Sequence, residues 1–200
     1  NLGVPYLLDL YQKAHHDLSL KTLNNTEAIK SSEDAELWMR EEFKKLSEWD
    51  PENVELWEKF TAISVSEINK KLELLNIYPK YNIGESFYEW LNLPRPNWEN
   101  YPPLNGNEWD KKCTMKDIVR ELIEKWVATQ NEDGSVWVIF SEESKLPSCI
   151  LQKKDGTGLY LTSDLAAIKY RMTNGWNPKK IIYCIDVRQQ LHMRQAFAIA

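Results

Sequence analysis

The sequence predicts an α/β protein: a helical N-terminal half leading into strands and helices that belong to a parallel sheet. Three observations predict it. Apolar residues keep helical spacing from Asp34 to Glu48 and again after Asp50. After residue 135 short apolar runs alternate with turn signals such as Asp155-Gly156. Ile181 to Ile185 is a continuous apolar run, the pattern of a parallel strand buried on both faces.

The elements follow in order. Residues 1–23 read as one or two helices, with Leu7, Leu8, Leu10 and Tyr11 apolar. The next helix, Asp34 to Glu48, carries a stripe of Ala35, Trp38, Met39, Phe43, Leu46 and Trp49, interrupted by the polar Glu42. Asp50-Pro51-Glu52 is a cap followed by Pro in the first turn, so a third helix starts there, with Val54, Trp57 and Phe60 inward. Ser64-Val65-Ser66-Glu67 has capping-box spacing and predicts a fourth helix, with Ile68, Leu72 and Leu75 on one face. Asn76 stops it, and Ile77-Tyr78 before Pro79 predicts a short extended segment. Residues 91–113 hold Pro94, Pro96, Pro102, Pro103 and Asn105-Gly106, and read as a loop excursion. Thr114 to Asp117 opens a helix with Ile118, Leu122 and Trp126 inside. Val136–Phe140, Ser148–Gln152 and Gly158–Leu161 read as strands. Thr162–Met172 reads as a helix ended by Asn174-Gly175, and Gln190–Ala200 as another. The divisions expected are 1–76, helical; 77–147, a connecting insertion; and 148–200, the sheet-bearing part.

Composition excludes several classes. The chain has 200 residues, 42% hydrophobic and 28% charged, the proportions of a globular protein. Nine Trp add apolar area for burial or for a partner. No apolar run approaches the length of a membrane span, so no membrane partner is expected. The first ten residues lack a basic region and a start Met, and read as an internal cut, not a signal peptide. Cys113, Cys149 and Cys184 are odd in number and far apart, which argues against disulfides or zinc and for reduced thiols in a cytoplasmic protein. The net charge of −5 gives no support for RNA binding by this stretch.

Three stretches stand out chemically. Gly84-Glu85-Ser86-Phe87, taken alone, reads as a turn followed by a surface Glu. Leu159 to Asp164 sets Tyr160 near a strand end and Asp164 in the first turn of the next helix, where the dipole favours a carboxylate. A capping Asp is the plainer alternative. Asp186 to His192 lies just past the apolar run, and His192 alone reads as a structural hydrogen bonder. Glu85 and Asp164 are acceptors only, and Tyr160 and Gln189 can orient a ligand. Such a set suits a cation, and a guanidinium is the best geometric match to a carboxylate. No phosphate-cradling Gly-rich loop, nucleophile motif or metal-ligand spacing is present. His15-His16 has no second ligand pair, and the sequon Asn24-Asn25-Thr26 reads as chance. No catalytic and no metal-binding residue is therefore assigned.

At these residues the sequence resembles the arginyl-tRNA synthetases. Leu151 to Ala167 is similar to that family's strand-turn-strand-helix signature, Ile182 to His192 to the following strand and its loop, and Gly84-Glu85-Ser86 to its GES triplet. The resemblance implies part of a class I synthetase's Rossmann-like nucleotide-binding fold, with a helical insertion in the N-terminal half. It implies an arginine–tRNA ligase of the cytoplasm, which activates L-arginine with ATP and Mg2+ and passes it to tRNA(Arg). By resemblance Glu85 holds or orients the α-amino group, Tyr160 and Asp164 grip the guanidinium, Gln189 contacts the arginine and His192 lines the ATP side. Ser163 stands where the family often has Arg. The family's HIGH-type motif does not occur in the sequence and is expected before Asn1; the ATP-closing loop and the anticodon-binding domain are expected after Ala200. The chain alone is accordingly expected to be inactive and to retain no cofactor. A rival reading is a non-catalytic arginine-binding or protein-interaction module derived from such an enzyme. An α/β domain with an unrelated ligand is a third, and predicts no preference for arginine over lysine.

Overall fold

The computed structural model describes residues 3–19, 32–89, 113–173 and 178–200. The Pro-rich stretch up to residue 112, the sequon at Asn24, the Asn174-Gly175 stop and the side chains of His15, His16 and Ala35 lie outside the described residues. The chain divides into two compact units, which among these residues cover 3–82 and 83–200.

The first unit is three helices: α1 (Val4–Ser19), α2 (Ser32–Ser47) and α3 (Pro51–Leu74). Trp49 ends α2 in the left-handed region (φ 68°), which lets Asp50 N–H bond back to Lys45 O at 2.9 Å. Asp50 then caps α3 as its sequence predicts, its carboxylate accepting from Glu52 and Asn53 N–H at 3.1 and 3.2 Å. The polar break in the α2 stripe has a use: the Asn53 amide donates to Glu42 O and Glu42 Oε2, both at 2.9 Å.

The expected fourth helix is absent as a separate element, because α3 runs on unbroken through Ser64. A capping residue must be extended, and here the backbone N–H groups already have carbonyl partners one turn back. Ser64 Oγ instead donates to Phe60 O at 3.0 Å. Val54 and Trp57 are half-buried, but Phe60, Ile68 and Leu75 are exposed. Asn76 (φ 55°) stops α3, with Ile77 N–H reaching Leu72 O at 2.8 Å.

The second unit holds the core. A short α4 (Ser86–Glu89) precedes α5 (Met115–Glu124). Thr114 opens α5 with a capping box: Asp117 N–H donates to Thr114 Oγ1 at 3.2 Å and Thr114 N–H to Asp117 Oδ2 at 3.3 Å. Ile118 is buried as predicted, but Trp126 is 94% exposed. Trp126 is the left-handed residue that ends α5 (φ 60°), so the helical period no longer sets its direction.

The sheet is antiparallel, in the order β1 (Thr129–Gln130), β2 (Val136–Val138), β3 (Cys149–Gln152). The β1–β2 hairpin turns at Gly134 (φ 85°), with Ser135 N–H on Asp133 Oδ1 at 3.0 Å. Thr129 faces Trp137, and Val138 faces Cys149. Val136, Val138, Cys149 and Leu151 turn inward. They share a core with residues of α4, α5, α6 (Tyr160–Thr173) and α7 (Gln190–Ile199), among them Phe87, Ile118, Leu165, Tyr170 and Met193.

Two expected parallel strands are corrected. Gly158 makes only an isolated antiparallel bridge to Gln152, and Tyr160 and Leu161 already belong to α6. A Cβ on Gly158 would meet Met115 Cε, the far end of a flexible side chain. Residues 181–186 carry no ladder, and Ile182 and Ile185 are exposed. A buried apolar strand needs a neighbouring strand, and none of the described residues provides one. The mixed α/β character stands, with helices around a small antiparallel sheet.

Candidate functional site

Three of the five residues singled out in the sequence meet in the second unit. Asp164 lies on α6, whose start is tied to the sheet by Thr162 Oγ1 donating to Leu151 O. Because α6 begins at Tyr160, Asp164 is past the first turn, so the helix dipole contributes less than the sequence predicted. Its partner is a side chain: His192 Nε2 lies 2.6 Å from Asp164 Oδ2, with both side chains about one-third exposed (31% and 34%). His192 sits in the first turn of α7, which Met193, Ala196 and Ile199 anchor in the core. Gln195 fixes the same helix by donating to Pro147 O at 2.9 Å.

Glu85 joins this pair from the turn before α4. Phe87 N–H closes that turn on Gly84 O at 3.1 Å. Phe87 and Tyr88 are buried and pack edge-to-face on Tyr170 of α6, with centroids 4.8 and 6.0 Å away. This clamp holds Glu85 near Asp164. The Glu85 carboxyl is pushed above the usual carboxylate range, by partial loss of water first and by the Asp164 charge second, with His192 opposing. The residue remains exposed at the surface, so the desolvation is partial.

Tyr160 and Gln189 neighbour the cluster along the chain, four residues before Asp164 and three before His192. Tyr160 is one helical turn before Asp164 on the same face, and 73% exposed. Gln189 is exposed in a 3-10 turn (Val187–Gln189) that Asp186 caps by accepting from Arg188 N–H at 2.9 Å. His192, expected on the ATP side, contacts the residue expected to grip the guanidinium. Only the packing of α7 on α6 creates this contact, and no local signal in the sequence carries it.

A neighbouring cluster was not anticipated. Arg171 Nη1 donates to Tyr183 Oη at 2.8 Å, and the Tyr88 hydroxyl is pushed up to about 12 by burial, with Arg171 opposing. Arg171 is two turns beyond Asp164, a spacing that places both on one helix face.

Two neighbouring carboxyl groups, acceptors when ionised, have the chemistry to suit a cationic ligand. No group of three or more His, Cys, Asp or Glu side chains that could hold a metal ion occurs among the described residues. No described helix is long and apolar enough to cross a membrane.

Residues 105–200 match the family of class I tRNA synthetases (R), catalytic domain. The chain is 36% identical over 160 residues to the arginine–tRNA ligase of Fusobacterium nucleatum, covering 80% of this chain and 24% of that protein. It is 34% identical over 155 residues to that of Clostridium perfringens, covering 78% and 23%. With the arginine–tRNA ligase of Clostridium kluyveri the identity is 30% over 191 residues, or 96% of this chain and 27% of the other. The chain therefore spans about a quarter of the length of these curated relatives. A catalytic-domain match over residues 105–200, with relatives that share most of the chain's length, shows that the chain belongs to the class I arginyl-tRNA synthetase family.

Proposed function

We propose that this chain is the arginine-recognising part of an ATP-dependent arginine–tRNA ligase of the cytoplasm. The observation that carries the reading is the approach of Glu85 to Asp164 beside His192. The Glu85 carboxyl, whose ionisation is opposed by lost water and by the Asp164 charge, gains from a cation placed beside it. Asp164 accepts from the guanidinium fork, and Tyr160, one turn earlier, covers its plane. Glu85 shares the same cation, a role its nearness to Asp164 favours over holding the distant α-amino group. Gln189 orients the ligand from the opposite loop. Citrulline lacks the charge and lysine lacks the fork, so each leaves a carboxylate poorly paired.

In the whole protein, ATP with Mg2+ and tRNA(Arg) would be the other partners. The side chains of this cluster bind and orient arginine, and the phosphate chemistry is not assigned to any of them. The test is calorimetric titration of this chain with L-arginine, citrulline and L-lysine. We expect arginine to bind best, and Asp164→Asn to weaken it by about 10- to 100-fold, the loss of one charge-assisted hydrogen-bond pair. Equal binding of lysine, or an unaffected Asp164→Asn variant, would falsify the assignment. Binding of arginine by this chain without turnover in the whole protein would favour the non-catalytic module.

A further inference from the structure

Residues 181–186 run straight into the 3-10 turn that carries Gln189, and among the described residues no ladder holds them. Ile182 and Ile185 are exposed, and Tyr183 is the residue of this stretch that packs against the core. Its ring meets Phe197 of α7 edge-to-face, with centroids 5.3 Å apart. Its hydroxyl accepts from Arg171 Nη1 of α6 at 2.8 Å, and the guanidinium carbon lies 5.4 Å from the ring centroid. Beyond Tyr183 the chain has little freedom. Asp186 caps the turn by accepting from Arg188 N–H at 2.9 Å and from Arg188 Nε at 2.8 Å. Cys184 and Ile185 alone separate the anchored ring from that capped turn.

We propose that Arg171 is a positioning residue of the arginine site, acting through Tyr183 to hold the segment that presents Gln189 to the ligand. The proposal rests on arginine being that ligand. Arg171 lies two turns beyond Asp164 on α6, so the helix that bears the guanidinium-accepting carboxylate also bears the anchor. The apolar contact of Tyr183 with Phe197 limits the approach of the ring but leaves it free to slide. The charge-assisted hydrogen bond from Arg171 is directional and fixes where the ring stops. Arg171 and Tyr183 are both half-buried, which limits competition from water for this bond. The same guanidinium opposes the upward push of burial on the Tyr88 hydroxyl of α4, so it stands against protein on that side as well. Without the bond Tyr183 still packs, but Gln189 takes more positions relative to Asp164. Arginine must then order the segment as it binds, and the cost appears as lost affinity.

The experiment measures L-arginine affinity of this chain by calorimetry in wild type, Tyr183→Phe, Arg171→Met and the double variant, with each fold checked by circular dichroism. Tyr183→Phe removes the acceptor and keeps the ring. We expect each single variant to weaken arginine binding by about 3- to 10-fold, the loss of one hydrogen bond. The double variant should match Arg171→Met within about twofold, because both changes remove the same bond. In a Gln189→Ala background, Tyr183→Phe should cost less than about twofold, whereas a purely structural tie would cost the same in both backgrounds. Ile118→Val, a core change on α5, should lower the urea midpoint and keep arginine affinity within about twofold. Wild-type affinity in Tyr183→Phe or in Gln189→Ala, an undiminished loss in the Gln189→Ala background, or a matching loss in Ile118→Val overturns the positioning role and leaves the arginine site standing. No arginine binding by folded wild-type chain overturns this role and the proposed function together.

Discussion

Glu85 illustrates how binding geometry opposes stability at a single residue. Its carboxyl is raised because ionisation is unfavourable beside Asp164 and away from full water contact. In the unfolded chain that cost vanishes. The folded state thus binds the proton more tightly, and stability falls as pH rises from the ordinary carboxylate range through the raised value. Glu85→Gln removes the charge. The expected outcome is a higher Tm at pH 7, a gain that disappears at pH values where Glu85 is protonated in both states. The same variant should bind arginine less well. Melting curves at about pH 4 and 7 check the first statement, and a gain that persists unchanged in acid would refute it. Gly158 meets a neighbour that can yield. Gly158→Ala sets a methyl against Met115 Cε, the movable end of a flexible side chain, so the Met swings aside and a change within about 1 kcal/mol is expected in urea unfolding.

At the scale of elements, ends are written locally and partners are not. The Thr114–Asp117 box satisfies two backbone donors of α5, and Thr114→Ala is expected to cost about 1 kcal/mol in urea unfolding. That cap, the Asp50 cap and the Asn76 stop were legible because each signal lies within four residues of the end it makes. Ser64 and Trp126 misled for one reason: spacing alone does not say whether the backbone is extended, helical or left-handed at that residue. Val136–Val138 and Cys149–Gln152 were legible as strands, but their antiparallel pairing depends on the hairpin and on partners distant in sequence. Likewise Glu85, Asp164 and His192 were each named from the sequence, whereas their meeting required α4 and α7 to pack on α6. The aromatic clamp makes this dependence testable. Phe87→Ala is expected to cost about 3–5 kcal/mol, as for other buried aromatics. A destabilisation near zero by urea unfolding would mean that the clamp does not hold the Glu85 turn.

At the scale of the molecule, burial is distributed unevenly. The buried hydrophobic side chains among the described residues run from Phe87 to Ile199, all in the second unit. The 24-residue helix α3 buries none, and its stability rests on its cap, its hydrogen bonds and half-buried contacts with α1 and α2. Helices without a buried face open at lower free energy than core strands. Hydrogen exchange should therefore divide the chain in two. Amides of α1, α2 and α3 should exchange fast, while those of β2, β3 and α6 should persist longest and respond together to Leu151→Ala, a substitution expected to cost about 2–5 kcal/mol. Glu85, Asp164 and His192 all lie on the slow side of this division, so urea that melts α3 should leave their cluster assembled. Uniform protection across both units would refute the uneven distribution of stability. Fast exchange in α6 with slow exchange in α3 would reverse it, and would move the rigid scaffold of the molecule away from the site.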